Sequence, residues 1–87
     1  MDRRELHERV SALALEVKDM VVGGPGWEPD GTTSVRLDFM DAFTLFQFGV
    51  YLEEEFDVLL VEEVSRMTDH TTEKVTETVA RALTEQT

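Results

Sequence analysis

Asp41-Ala42-Phe43-Thr44-Leu45-Phe46-Gln47-Phe48-Gly49-Val50-Tyr51-Leu52-Glu53-Glu54-Glu55-Phe56-Asp57 is the stretch on which the fold turns. At about 100° per residue, Leu45, Phe48, Gly49, Leu52 and Phe56 fall in one sector, the apolar face that a helix turns toward a core. The same wheel sets Phe43, Phe46 and Val50 on roughly the opposite side, among Gln47, Glu53 and Glu54. One helix thus carries two apolar stripes, and burial against a single core explains only the first. Two readings of the second stripe stand. Either a neighbouring loop or helix folds over part of it, or it is a docking surface whose acidic rim suits a basic-rimmed groove on a partner.

Before this stretch, Leu6, Val10, Leu13, Val17 and Met20 recur at alternating steps of four and three, which predicts an amphipathic helix over about 2–21. Gly23-Gly24-Pro25-Gly26 ends it, and 22–40, with Pro29, Asp30-Gly31 and Thr32-Thr33, has no sustained period and reads as a long loop. A loop of this length needs anchors to offset the entropy of ordering it, and Trp27 and Val35 are the candidates. After the second helix, at about 41–56, Val58-Leu59-Leu60-Val61 is short and apolar. No second strand exists for it to pair with, so it is expected to be a connector packed under the helices. A short third helix over about 62–67 and a fourth over about 71–84 follow. The polar cluster Thr68-Asp69-His70-Thr71-Thr72 offers N-caps to the fourth, and Val75, Val79, Ala82 and Leu83 form its apolar face. The expected fold is all-α, a small four-helix bundle forming one domain over 1–87.

Composition narrows the function classes. The 87 residues include no cysteine, which removes thiol catalysis, disulfides and cysteine-ligated metals. Nineteen acidic residues against eight basic ones give a net charge of -11, so nucleic acid is not an expected partner. Seven of the acids, and no base, lie between Asp41 and Glu63. Charges at the start of the chain and the lack of any run near the roughly 20 apolar residues of a membrane span lead us to expect a soluble, cytoplasmic protein. His7 and His70 read as solvent-facing or capping residues, since neither has a nucleophile, a carboxylate pair or a metal cluster beside it in the sequence. A calcium sensor is excluded in detail: Asp30-Gly31-Thr32-Thr33 lacks the spaced oxygen ligands and closing glutamate of an EF-hand loop.

The stretch from Asp41 to Asp57 resembles the recognition helix of acyl carrier proteins of fatty acid and polyketide synthesis. The family pattern is Asp-Ser-Leu followed by an apolar and acidic helix closing on Leu-Glu-Glu-Glu-Phe, and Leu52-Glu53-Glu54-Glu55-Phe56 matches that close letter for letter. Length, acidity, helix order and the long loop before the motif agree, so the resemblance spans nearly the whole chain. It implies a non-catalytic carrier with Asp41, Ala42 and Phe43 at the attachment point of 4'-phosphopantetheine, whose thiol holds acyl groups as thioesters. It also implies a docking surface made of Phe43, Phe46, Gln47, Val50, Glu53 and Glu54. The implied partners are a ketosynthase, ketoreductase, dehydratase, acyltransferase or phosphopantetheinyl transferase with a basic docking surface, met by a monomeric carrier.

Two positions depart from that pattern. Where the family has the serine that forms the phosphodiester, this chain has Ala42, whose methyl group has no hydroxyl to offer, so the arm cannot be attached there. Ser11, Ser34 and Ser65 do not follow an aspartate at a helix start and are poor substitutes. Two explanations are open: a Ser-to-Ala substitution that keeps a carrier unmodified, which we favour, or a natural pseudo-carrier that binds partners without cargo. Phe43 stands where leucine is commoner and, with Phe46 and Phe48, points weakly to a polyketide or other secondary-metabolite pathway.

Overall fold

In the computed structural model, residues 2–86 are described, and they form four helices in sequence order: α1 Arg3–Val21, α2 Ala42–Phe56, α3 Val61–Arg66 and α4 Thr72–Gln86. No β-strand occurs among the described residues; one isolated antiparallel bridge joins Arg36 to Thr71. α1 packs on α4 and α2, and α2 packs on α3. The fold is the all-α bundle that the periodicities predict.

Local chemistry sets the helix ends. Asp2 and Asp41 are N-caps outside their helices, each carboxylate accepting from the backbone N–H three residues on, Glu5 and Thr44, at 2.8 Å. α1 ends where Gly23 and Gly24 both take positive φ, 71° and 77°, a conformation glycine enters without penalty. Lys18 donates to the carbonyls of both glycines, so a base is used to close the helix. α2 ends at Asp57 in the left-handed region, with its N–H bonded to the Glu53 carbonyl at 2.8 Å. The fourth helix runs to Gln86, beyond the expected end near 84, after Thr71 caps it through Lys74 N–H.

The core is built from Leu6, Val10, Ala14 and Val17 of α1, the five-residue face of α2, Val64 of α3, and Val75, Val79 and Ala82 of α4. α2 and α3 approach closely at Gly49: a Cβ there would lie 3.1 Å from the Val61 Cα. Three expectations about helix faces and bounds need correction. Met20 is 63% exposed, because no apolar neighbour covers the last turn of α1. Val58 and Leu60 are buried as a connector under the helices should be, but Leu59 between them is 83% exposed. Val61 already belongs to α3, which ends at Arg66.

The long loop is held by more than hydrophobic anchors. Trp27 packs half-buried against the core and donates to the Ser11 hydroxyl at 2.9 Å, while Leu37, not Val35, is the fully buried anchor. Val35 contributes through its backbone: its carbonyl accepts from Thr72 N–H at 2.9 Å, and its N–H donates to the Thr72 hydroxyl at 2.9 Å. His7 completes this junction and is not solvent-facing; it is 5% exposed, with Nδ1 2.9 Å from the Asp30 carbonyl and Nε2 3.0 Å from the Thr72 hydroxyl. A carbonyl only accepts, so Nδ1 carries a proton; in the neutral ring Nε2 then accepts from the Thr72 hydroxyl, whose oxygen also accepts from Val35 N–H. His70 is also turned inward, partly buried with Nε2 enclosed and its carbonyl accepting from Leu37 N–H at 2.8 Å.

Two buried changes test this packing by denaturant melts. Leu52→Ala leaves a cavity in the α2 face and is expected to lose about 2–5 kcal/mol. Thr72→Val keeps the shape but strands Val35 N–H and His7 Nε2, and is expected to lose about 1–3 kcal/mol. A Thr72→Val protein as stable as the parent would show that the junction is decorative.

Candidate functional site

The site begins where the long loop hands over to α2. Leu37 sits in the core and Met40 N–H bonds back to the Leu37 carbonyl at 3.0 Å, which turns the chain so that Asp41 reaches the helix start. Asp41 is itself exposed. Its carboxyl is held below the usual carboxylate range, chiefly by the Thr44 N–H bond, then by the Thr44 hydroxyl, with the Phe43 N–H adding a smaller contribution. Ala42 follows as the first helical residue, exposed at the end where backbone N–H groups lack intrahelical partners and the helix dipole is positive. This end can hold an anionic group such as a phosphate. It offers no nucleophile, since the side chain at the helix start is a methyl group.

Beyond Ala42 the outward stripe is open. Phe43 is 69% exposed and Phe46 50%, while Gln47 and Val50 are partly buried. Neither the loop nor α3 closes over the two phenylalanines. Glu54 is exposed two turns beyond Phe46 on α2, but Glu53 is not a free rim charge: its Oε2 accepts from Leu60 N–H at 2.8 Å and Val61 N–H at 2.9 Å. α3 has no side-chain cap at Leu60, and the Glu53 carboxylate supplies one from the neighbouring helix. This corrects the expectation that Glu53 and Glu54 act alike. The missing cap residue ahead of Val61 was the sequence signal for such a role.

None of the three serines, all among the described residues, stands at an aspartate-capped helix start. Ser11 is buried and bonded to Trp27, and Ser34 lies in the loop, 3.4 Å from Glu73 N–H. Ser65 is exposed on the short α3, away from any aspartate-capped start. Among the described residues, no group of three or more His, Asp or Glu side chains is placed to hold a metal ion. No helix among them is long and apolar enough to cross a membrane.

The fold and site together define a small acidic helical bundle with an aspartate-capped second helix and an apolar stripe open beside it. No family model matches the chain, and neither a curated protein nor a solved structure matches it.

Two measurements separate the residues of this surface. Glu53→Lys is expected to lose about 1–3 kcal/mol because it removes a charged acceptor from two backbone donors. Glu54→Lys should stay within about 0.5 kcal/mol of the parent, and Phe46→Ala within about 1 kcal/mol. Equal losses for Glu53→Lys and Glu54→Lys in denaturant melts would return Glu53 to the solvated face.

The Asp41 cap has a pH signature of known sign. A carboxyl whose folded value lies below its unfolded value of 3.8 contributes fully above that value and loses its contribution as pH falls through the folded one. Asp41→Asn is therefore expected to be less stable than the parent at neutral pH, with the gap narrowing as pH drops below about 4. A gap of constant size between neutral and acid pH contradicts a charged cap.

Proposed function

We propose that this chain is an acyl-carrier-like protein. In a serine-bearing form, the position of Ala42 tethers acyl intermediates as thioesters on a 4'-phosphopantetheine arm and presents them to enzymes of fatty acid or polyketide synthesis. The observation that carries the reading is the junction of Asp41 and Ala42: a charged N-cap, an exposed first helical residue and an open phenylalanine pair one turn on. Each part has a job in such a protein. The helix start gives backbone donors and a positive dipole end to the phosphodiester, the exposed Phe43 and Phe46 give apolar contact to a partner, and the acids of α2 and α3 draw in a basic surface.

In this chain, the methyl group of Ala42 stops the sequence of events at its first covalent step. Phosphodiester formation needs a hydroxyl oxygen to bond to phosphorus, and none is present at the helix start. Partner recognition does not need it. The cytoplasm, where synthases of this kind and their reductants are found, is the compartment that fits the reading.

A second reading keeps the surface and drops the cargo: a pseudo-carrier that occupies a partner's docking groove for structural or regulatory ends. The observation that favours it is Ala42 itself. Intact mass after coexpression with a broad-specificity phosphopantetheinyl transferase tests the primary reading. Ala42→Ser is expected to gain one phosphopantetheine group, and the parent chain none. A serine variant that stays unmodified while an ordinary carrier protein is loaded under the same conditions would remove the carrier reading and leave only the interaction module.

A further inference from the structure

A groove of about 550 Å³ lies between the second half of α1 and the second half of α2. Leu13, Met20 and Tyr51 give it an apolar floor. Glu16 and Asp19 on α1 face Glu54 and Glu55 on α2 along its rim. By the helical wheel, Tyr51 and Glu55 lie on the flank of α2 that turns to α1, whereas Phe46 and Gly49 lie toward α3. The groove thus opens on the other side of α2 from Phe46 and shares only Glu54 with the surface beside Ala42.

Its charges are left largely unmatched. Among the described residues, only Glu55 of the four rim acids has an ion-pair partner, Arg9 at 3.1 Å. Lys18, the one base in the second half of α1, is bonded to the carbonyls of Gly23 and Gly24. Four carboxylates around an apolar trough repel one another, and that repulsion is relieved when cations enter. The floor is also open to solvent at Met20, which is 63% exposed, while Leu13 and Tyr51 are partly buried. Methionine adapts its shape to an incoming surface, and a tyrosine ring offers its face to a guanidinium.

We propose that this groove binds a basic amphipathic helix of a partner protein, seating apolar side chains over Leu13, Met20 and Tyr51 while lysines or arginines reach the four rim carboxylates. The fit in length is direct. Leu13 and Met20 are seven residues apart, about 10 Å along α1, which is the spacing of two turns on an incoming helix. Charge selects among occupants. Nucleic acid is repelled by the same rim that attracts a basic helix, and a second copy of this chain would bring a like-charged rim and its own net charge of -11. The proposal stands on the groove alone, so failure of phosphopantetheine transfer to Ala42→Ser leaves it untouched.

The probe is a fluorescein-labelled peptide of about 14 residues, made only of leucine and lysine, with leucines at the i, i+3, i+4, i+7 spacing of a docking helix. Anisotropy gives the affinity and amide NMR gives the location, with circular dichroism checking that each variant keeps its helices. Glu16→Lys with Asp19→Lys is expected to weaken binding about tenfold or more. Glu8→Lys with Glu85→Lys changes the net charge equally at exposed positions outside the groove, and is expected to weaken it less than about threefold. Met20→Gln, at an exposed position, should weaken it severalfold by making the floor polar. Shifts in the parent should gather at Leu13, Met20 and Tyr51. The proposal is overturned by no binding, by equal losses in the two charge-reversed proteins, by indifference to Met20→Gln, or by shifts that gather at Phe43 and Phe46.

Discussion

The hydroxyl of Thr72 is the point on which the rest of this molecule depends. It lies at the start of α4, is fully buried, and joins three separate parts of the chain: it donates to His7 of α1, accepts from Val35 of the long loop, and through His7 is linked to the Asp30 carbonyl. A connection as long as that between Val21 and Ala42 costs conformational entropy at every residue it orders, and its buried polar groups need partners. A single threonine oxygen meets both demands because it can donate and accept at once. With Val35 bonded to Thr72 at the start of α4 and Leu37 to His70 just before it, the loop's last residues deliver Asp41 to the start of α2.

From that constraint follows the division of labour on α2. Its inner face is fully committed to the core, and the close approach at Gly49 brings α3 against one flank. The loop, tied down on the α1 and α4 side, is not free to cover Phe43 and Phe46. What remains outside is an aspartate-capped helix start and an apolar stripe in an acidic field. The field is less uniform than its charge count suggests. Glu53 is bound to the backbone ahead of α3, Glu55 is paired with Arg9, and Glu54 stands free, so three consecutive glutamates do three different things.

Much of this was legible in the sequence where a single helix decides the answer. The inward face of α2, the aspartate before it and the two glycines that end α1 are local signals, and the structure places them as expected. What escaped notice depended on contacts between distant segments. His7 looks like a surface residue because it sits one step off the Leu6–Val10 stripe. Its neighbours one turn on, Ser11 and then Ala14, are small and buried, and that second, small-residue stripe was the available sign that another element packs there. Met20 keeps the period of the buried face but falls on a turn that nothing covers, and periodicity does not report where a neighbouring helix ends. The role of Glu53 was hidden for a similar reason: its charge is visible in the sequence, whereas the two donors that hold it lie seven and eight residues away across a turn.

Residue-resolved hydrogen exchange on the free protein tests most directly whether the long loop is fixed and the start of α2 left open. The amides of Leu37 and Thr72, bonded to the His70 and Val35 carbonyls, should be protected to the same degree as the core amides of Phe48 and Val75. The Ala42 amide, at the unpaired end of its helix, should exchange close to the rate of an open chain. Fast exchange at Leu37 and Thr72 together with protection at Ala42 would mean that the loop is loose and the helix start covered, the reverse of the arrangement on which the proposed carrier site rests.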